Sequence, residues 1–399
     1  MDKIKKVDSL MTHHIEKQNK IKSIIAEQEL DALIIGGAYN IQYATGVRIE
    51  AAHAQPDLVM FALFFAEKEP VVFVPKSWQG VAHQECYFTN VVAYRPDKLP
   101  IDAAVEALID CCPAAGRVGI DDDLLSAAVN LKLIQAFEQK EVTFISCASQ
   151  LGQARAIKTA EEVELLTEIA FKTDHVINGH FHHLSADRRR TASVISESLR
   201  VHSSERDIEI AGYTACARAV IGRSMSSFWA YAPKYGFADA DMTQENDPMV
   251  VDVLTSEGGY WSNSTRIAIS NDHMSAEQER VYGELVRLRK LLVEGLRVGR
   301  KCSAVYHGVV GAAQKEGLSL VTELPLGFCV GVSPMEGPFL APGDERDIQA
   351  SMVFVLDPVV QHDALFYRSR DTVVVRESGP EIVNWYKDWR EPYLAILEL

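Results

Sequence analysis

The sequence has no long apolar run. No stretch approaches the roughly 20 apolar residues that a membrane-spanning helix needs. The polar opening MDKIKKVDSLMTHHIEKQNK has no apolar segment of the kind a secretory signal carries. Membrane partners are therefore not expected. Cysteine is sparse and unpatterned: there are seven, only Cys111 and Cys112 are adjacent, and no C-x-x-C pair occurs. That pattern supports neither a zinc knuckle nor a disulfide framework, and a reducing, cytoplasmic setting is the expectation. Positive charge is short as well. The chain carries 40 Lys and Arg against 55 Asp and Glu, a net charge of −15, which argues against nucleic acid or an anionic surface as a partner. The basic knot Arg188-Arg189-Arg190 reads as a solvated loop or helix end. Missing too are G-x-x-x-x-G-K, G-x-G-x-x-G and G-x-S-x-G, so neither phosphate-loop binding nor serine-hydrolase chemistry has a motif behind it. No cofactor is expected.

What is present is an ordinary globular composition over 399 residues, enough for about two hydrophobic cores. The first part alternates helix and strand patterns. A polar-amphipathic helix is predicted over 13–29, and DALIIGG reads as a short buried strand. LVMFALFFA and PVVFVP read as a hairpin, followed by a helix over 101–113, the strand VGID, a helix and the strand EVTFIS. This alternation predicts an α/β domain, assigned to 1–152. Beyond it, Thr159 with Glu161 and Glu162 marks a helix start. A second long helix runs from about Ser275 to Arg297, with Ser275 and Gln278 placed for a capping box. MVVDVLT, YWSNSTRIAIS, SMVFVLDPVV and DTVVVRE read as strands. The second domain, 153–399, is thus expected to be α+β with a mainly antiparallel sheet.

Five short motifs in this second part carry a resemblance. They are R-x-I-K-T-x-x-E from Arg155 to Glu162, V-V-D ending at Asp252, and G-Y-x-S-x-x-T-R from Gly259 to Arg266. M-V-F-x-x-x-P from Met352 to Pro358 and R-x-x-D-T-V-x-V from Arg368 to Val375 complete the set. In this order and spacing the chain resembles, over nearly its whole length, the creatinase/Xaa-Pro aminopeptidase family. The resemblance implies a creatinase-type N-terminal α/β domain, then the α+β pita-bread domain, and a homodimer. Peptidases of that family hold two divalent metals with two aspartates, a histidine and two glutamates, a donor set suited to Mn, Co, Zn or Fe.

Carried over position by position, that ligand set is largely gone. Asp252 keeps the first aspartate. The second falls on Asn263, the histidine of the glycine loop on Phe328, the first glutamate on Asp357 and the second on Arg370. Phenylalanine has no lone pair for a metal, and a fixed guanidinium charge opposes a cation. No metal is expected. Creatinase, the metal-free precedent, is not copied either. The stretch where its histidine would fall has Tyr231, Lys234 and Tyr235, and Met335 and Arg370 stand where relatives carry other site histidines.

The pocket that the resemblance implies collects Tyr235, Asp252, Asn263, Thr265, Phe328, Glu336, Asp357, Tyr367 and Arg370. Asp252, Glu336 and Asp357 are the candidate acid/base or cation-binding groups. The alternative for each is a structural ion pair, with Arg370 holding an acid ionised. Arg48 is placed to bind a substrate carboxylate, and His53 to replace the missing imidazole from across a dimer. His180, His182 and His183 form a tract that reads as a polar loop. The reading is metal-independent hydrolysis of a C–N bond in a small nitrogenous metabolite. A Xaa-Pro metallo-aminopeptidase or dipeptidase, or a non-catalytic binding member of the fold, is the alternative.

Overall fold

In the computed structural model the chain is described over residues 2–48, 59–95, 99–138, 140–180, 184–185, 198, 216–222, 248–269, 273–362, 365–385, 393–394 and 397–398. It divides into two compact units, Met1–Arg155 and Ala156–Leu399.

The first unit is built on one six-stranded sheet. Its strands are β1 (Ala32–Ile35), β2 (Phe61–Phe65), β3 (Val71–Pro75), β4 (Val91–Tyr94), β5 (Ala115–Ile120) and β6 (Glu141–Ser146), in the order β4-β3-β2-β1-β5-β6. The hairpin read from the sequence is present as antiparallel β2 and β3, whereas β1, β5 and β6 run parallel. Parallel neighbours need crossover connections, and helices supply them. The first helix, α1 (Asp2–Glu27), starts well before the expected residue 13, while α2 (Pro100–Cys111) and α3 (Ala127–Phe137) match the sequence periods. Ser126 accepts a hydrogen bond from the Val129 amide and so caps α3. Leu108 and Leu133 reach the core beside Phe61 and Phe73.

In the second unit, Thr159 and Glu162 satisfy each other's backbone amides at the head of α4 (Ala160–His180). Three strands follow as one antiparallel array: β7 (Cys216–Gly222), β8 (Pro248–Glu257) and β9 (Tyr260–Ile269). Gly258 (φ 59°) and Gly259 (φ 78°) close the β8–β9 hairpin in the left-handed region, where a side chain is disfavoured. Helix α5 (Ala276–Gly295) has the reciprocal Ser275–Gln278 capping box and buries Val281, Leu285, Leu288 and Leu292, a stripe at spacings of three and four. After α6 (Cys302–Glu316), a second sheet holds β10 (Gly327–Cys329), β11 (Glu336–Phe339), β12 (Val353–Leu356), then β15 (Asp371–Arg376) and β16 (Gly379–Ile382). Its order is β11-β10-β12-β15-β16, and β13 (Val359–His362) and β14 (Leu365–Arg368) form a separate ribbon. The expectation of an α/β unit followed by an α+β, mainly antiparallel pita-bread unit holds.

Candidate functional site

The alternation of strand side chains assembles the centre. On β8 and β9, Asp252 lies opposite Thr265 and Leu254 opposite Asn263, so Asp252, Asn263 and Thr265 share one face of the hairpin. Asp357 follows β12 directly, and Arg370 immediately precedes β15, which pairs with β12. A bridge between Thr265 and Arg370, with the Arg370 amide donating to the Thr265 carbonyl (3.1 Å), fastens the two sheets together at this point.

Arg370 is the middle of the cluster and is fully buried. Its Nη1 donates to both Asp252 oxygens (3.0 and 3.1 Å) and to Asn263 Oδ1 (2.9 Å), and its Nη2 donates to Asp357 Oδ2 (3.1 Å). Thr265 donates its hydroxyl to Asp252 Oδ1 at 2.9 Å. Phe328 lies under the guanidinium, with its ring centroid 5.6 Å from Cζ, a cation–π contact in place of a ligand. A second arginine completes the arrangement: Arg368 grips Asp357 in bidentate fashion (2.6 and 2.5 Å). Two acids and two guanidinium groups are thus balanced in one buried network. Burial by itself would raise the Asp357 pKa, but the charges of Arg368 and Arg370 overcome it and hold the group at about 2. Burial likewise opposes the charge on Arg370, and Asp252 and Asp357 outweigh it, so its pKa is raised. An outer shell repeats the pattern, with Arg266 against Asp174 (2.6 Å) and Asp371 (3.1 Å), and Arg289 against Asp371 (3.0 Å).

The residues do not fit a dinuclear metal centre. The oxygens of Asp252, Asn263 and Asp357 that would face the metals accept hydrogen bonds from a fixed positive charge. Among the described residues no group of three or more His, Cys, Asp or Glu could hold an ion.

The other sequence candidates fall elsewhere. Glu336 is not part of this network. It is buried and paired with Lys158 Nζ at 2.6 Å. Tyr367 packs in the hydrophobic core with Phe354 and Val360. Arg48, in the first unit, donates its amide to Glu85 (2.8 Å) and pairs with the same carboxylate through Nη2. Tyr235, His53, His182 and His183 lie outside the described residues. Arg368, absent from the sequence-based list, is the addition. An open groove of about 840 Å³, lined by Pro325, Met335, Phe339, Pro342 and Arg346 among others, involves none of the network residues.

The comparisons agree with this architecture. Residues 17–157 match the creatinase/prolidase N-terminal domain and 186–377 match metallopeptidase family M24. YkvY of Bacillus subtilis (strain 168), whose name proposes a dipeptidase, is 22% identical over 380 residues, covering 92% of this chain and 97% of that one. Among solved structures, dipeptidase PepE from Mycobacterium ulcerans superposes with a TM-score of 0.78 at 21% identity, covering 97% of this chain and 99% of its own. The prolidase from Pyrococcus horikoshii OT3 gives 0.74 at 18% identity, covering 94% and 99%. A creatinase-type α/β unit followed by a pita-bread unit is the two-domain architecture that this chain shares with them. The chain belongs to the creatinase/Xaa-Pro aminopeptidase family, M24. The three relatives described above carry dipeptidase or prolidase names, which agrees better with the peptidase alternative than with the creatinase-like specificity expected from the sequence.

Proposed function

We propose that this protein is a member of the dipeptidase/prolidase branch that acts on the C–N bond of a small peptide-like substrate without a metal pair. The relatives support the peptide C–N bond. The observation that carries the rest is the Arg370 guanidinium set between Asp252 and Asp357. In this reading the two acids do not move protons; they anchor Arg370. Arg370 Nε and Asn263 Nδ2 are buried donor nitrogens without an acceptor among the described residues. Donors fixed in a dry site are the groups that polarise a carbonyl and stabilise the charge developing on its oxygen. His53 is assigned the proton transfer and Tyr235 the orientation of substrate on sequence grounds alone.

A second reading, ligand binding without turnover, is favoured by the pairing of Asp252, Glu336 and Asp357 with Arg370, Lys158 and Arg368. One assay separates the possibilities. Purified protein is offered dipeptides, including Xaa-Pro, after chelator treatment and again with added Mn²⁺, while ligand-dependent melting is recorded. Turnover that survives chelation is expected. Turnover only with Mn²⁺ would return the protein to the metallopeptidases. Stabilisation by a dipeptide with no turnover under either condition would establish the binding reading.

A further inference from the structure

We infer that Arg370 is an internal cation that occupies the place of a divalent-metal site, and that removing its charge uncovers that site. This concerns what neutralises the centre, so it stands or falls separately from turnover.

The argument rests on which groups one side chain joins. Asp252 and Asn263 come from the two strands of a hairpin, and Asp357 from the end of a strand in the other sheet. Arg370 bonds to all three from a single buried guanidinium. Without it, the two carboxylates and one carboxamide oxygen that now accept its hydrogen bonds would face one another, with only Arg368 left to offset the acids. Oxygen donors gathered around one guanidinium, with a net negative charge once it is removed, are the donor type that Mg²⁺ or Mn²⁺ selects. A buried acid that loses its partner must find another counter-ion or a proton. The native arrangement is therefore closed to metal because the cation is already supplied covalently. A lysine at 370 would keep the charge but could not span three acceptors in a plane.

The test uses the full chain and Mn²⁺ as the probe. Wild-type protein, Arg370→Met, Arg370→Lys and the double variant Asp252→Asn/Arg370→Met are compared by thermal melting and by electron paramagnetic resonance of added Mn²⁺. Wild type is expected to bind no Mn²⁺ and to melt at the same temperature with or without it. R370M should melt several degrees lower, bind Mn²⁺ and recover part of the loss in its presence. R370K should bind none. D252N/R370M should melt above R370M and lose the Mn²⁺ response. If R370M does not fold alone, it is refolded with and without Mn²⁺: folding that depends on Mn²⁺ supports the inference, and failure to fold in either condition while D252N/R370M folds overturns it. Stoichiometric Mn²⁺ in wild type would overturn the inference. So would an R370M protein that folds without responding to Mn²⁺, or a double variant no better folded than R370M.

Discussion

Asp357 illustrates how much of the centre one residue can decide. Its folded pKa of about 2 lies below the ordinary 3.8, so its ionised form stabilises the folded chain. That contribution is complete above about pH 4 and disappears as the pH falls through 2. Arg368→Met removes the guanidinium with the stronger influence on it. The expected result is an acid-unfolding midpoint raised by about one pH unit and a loss of about 3–5 kcal/mol at neutral pH, as when one partner of a buried pair is taken away. Urea unfolding followed across pH 2–7 checks both; an unchanged acid limb would show that Arg368 does not hold Asp357. The substitutions Asn263, Phe328 and Arg370 were readable from their spacing to fixed motif residues. The role of Arg368 was not, although a signal existed: Arg368 and Arg370 stand two apart in an extended stretch and so share a face. Nothing in the local sequence announced that Glu336 would meet Lys158, 178 positions away.

Elements were more legible than contacts, because each carries its own period and punctuation. The α5 stripe and its capping box, the β2–β3 hairpin and the β8–β9 hairpin follow from spacing and turn residues alone. The start of α1 was placed too late because its first turns are rich in charged and polar residues, although Ile4, Val7, Leu10 and Met11 keep a helical spacing through them. The β8–β9 hairpin is the element on which the centre depends, since a register slip of one residue would move Asp252, Asn263 and Thr265 to the other face. Its two left-handed glycines set that register. Gly259→Ala is expected to cost about 1–2 kcal/mol, measured as a lower melting temperature. Retention of full stability would mean the turn does not require φ 78° at this position.

At the scale of the whole molecule, two features pull apart. The fold follows the dipeptidase PepE over 97% of the chain, while the centre is an ion-pair network of two acids and two guanidinium groups that is neutral as built. Fold is carried by many weak, redundant signals along the chain, so the architecture survived in the sequence as pattern. A site is carried by a few residues brought together from distant strands, so its losses could be read while its new pairings could not. The central claim is that the guanidinium of Arg370, and no metal, stands between Asp252 and Asp357. A crystal structure of protein grown with millimolar Mn²⁺, recorded at the manganese absorption edge, tests this most directly. The account expects guanidinium density bonded to both carboxylates and no anomalous peak within coordination distance of either. An anomalous peak between Asp252 and Asp357, with Arg370 turned away, would contradict it.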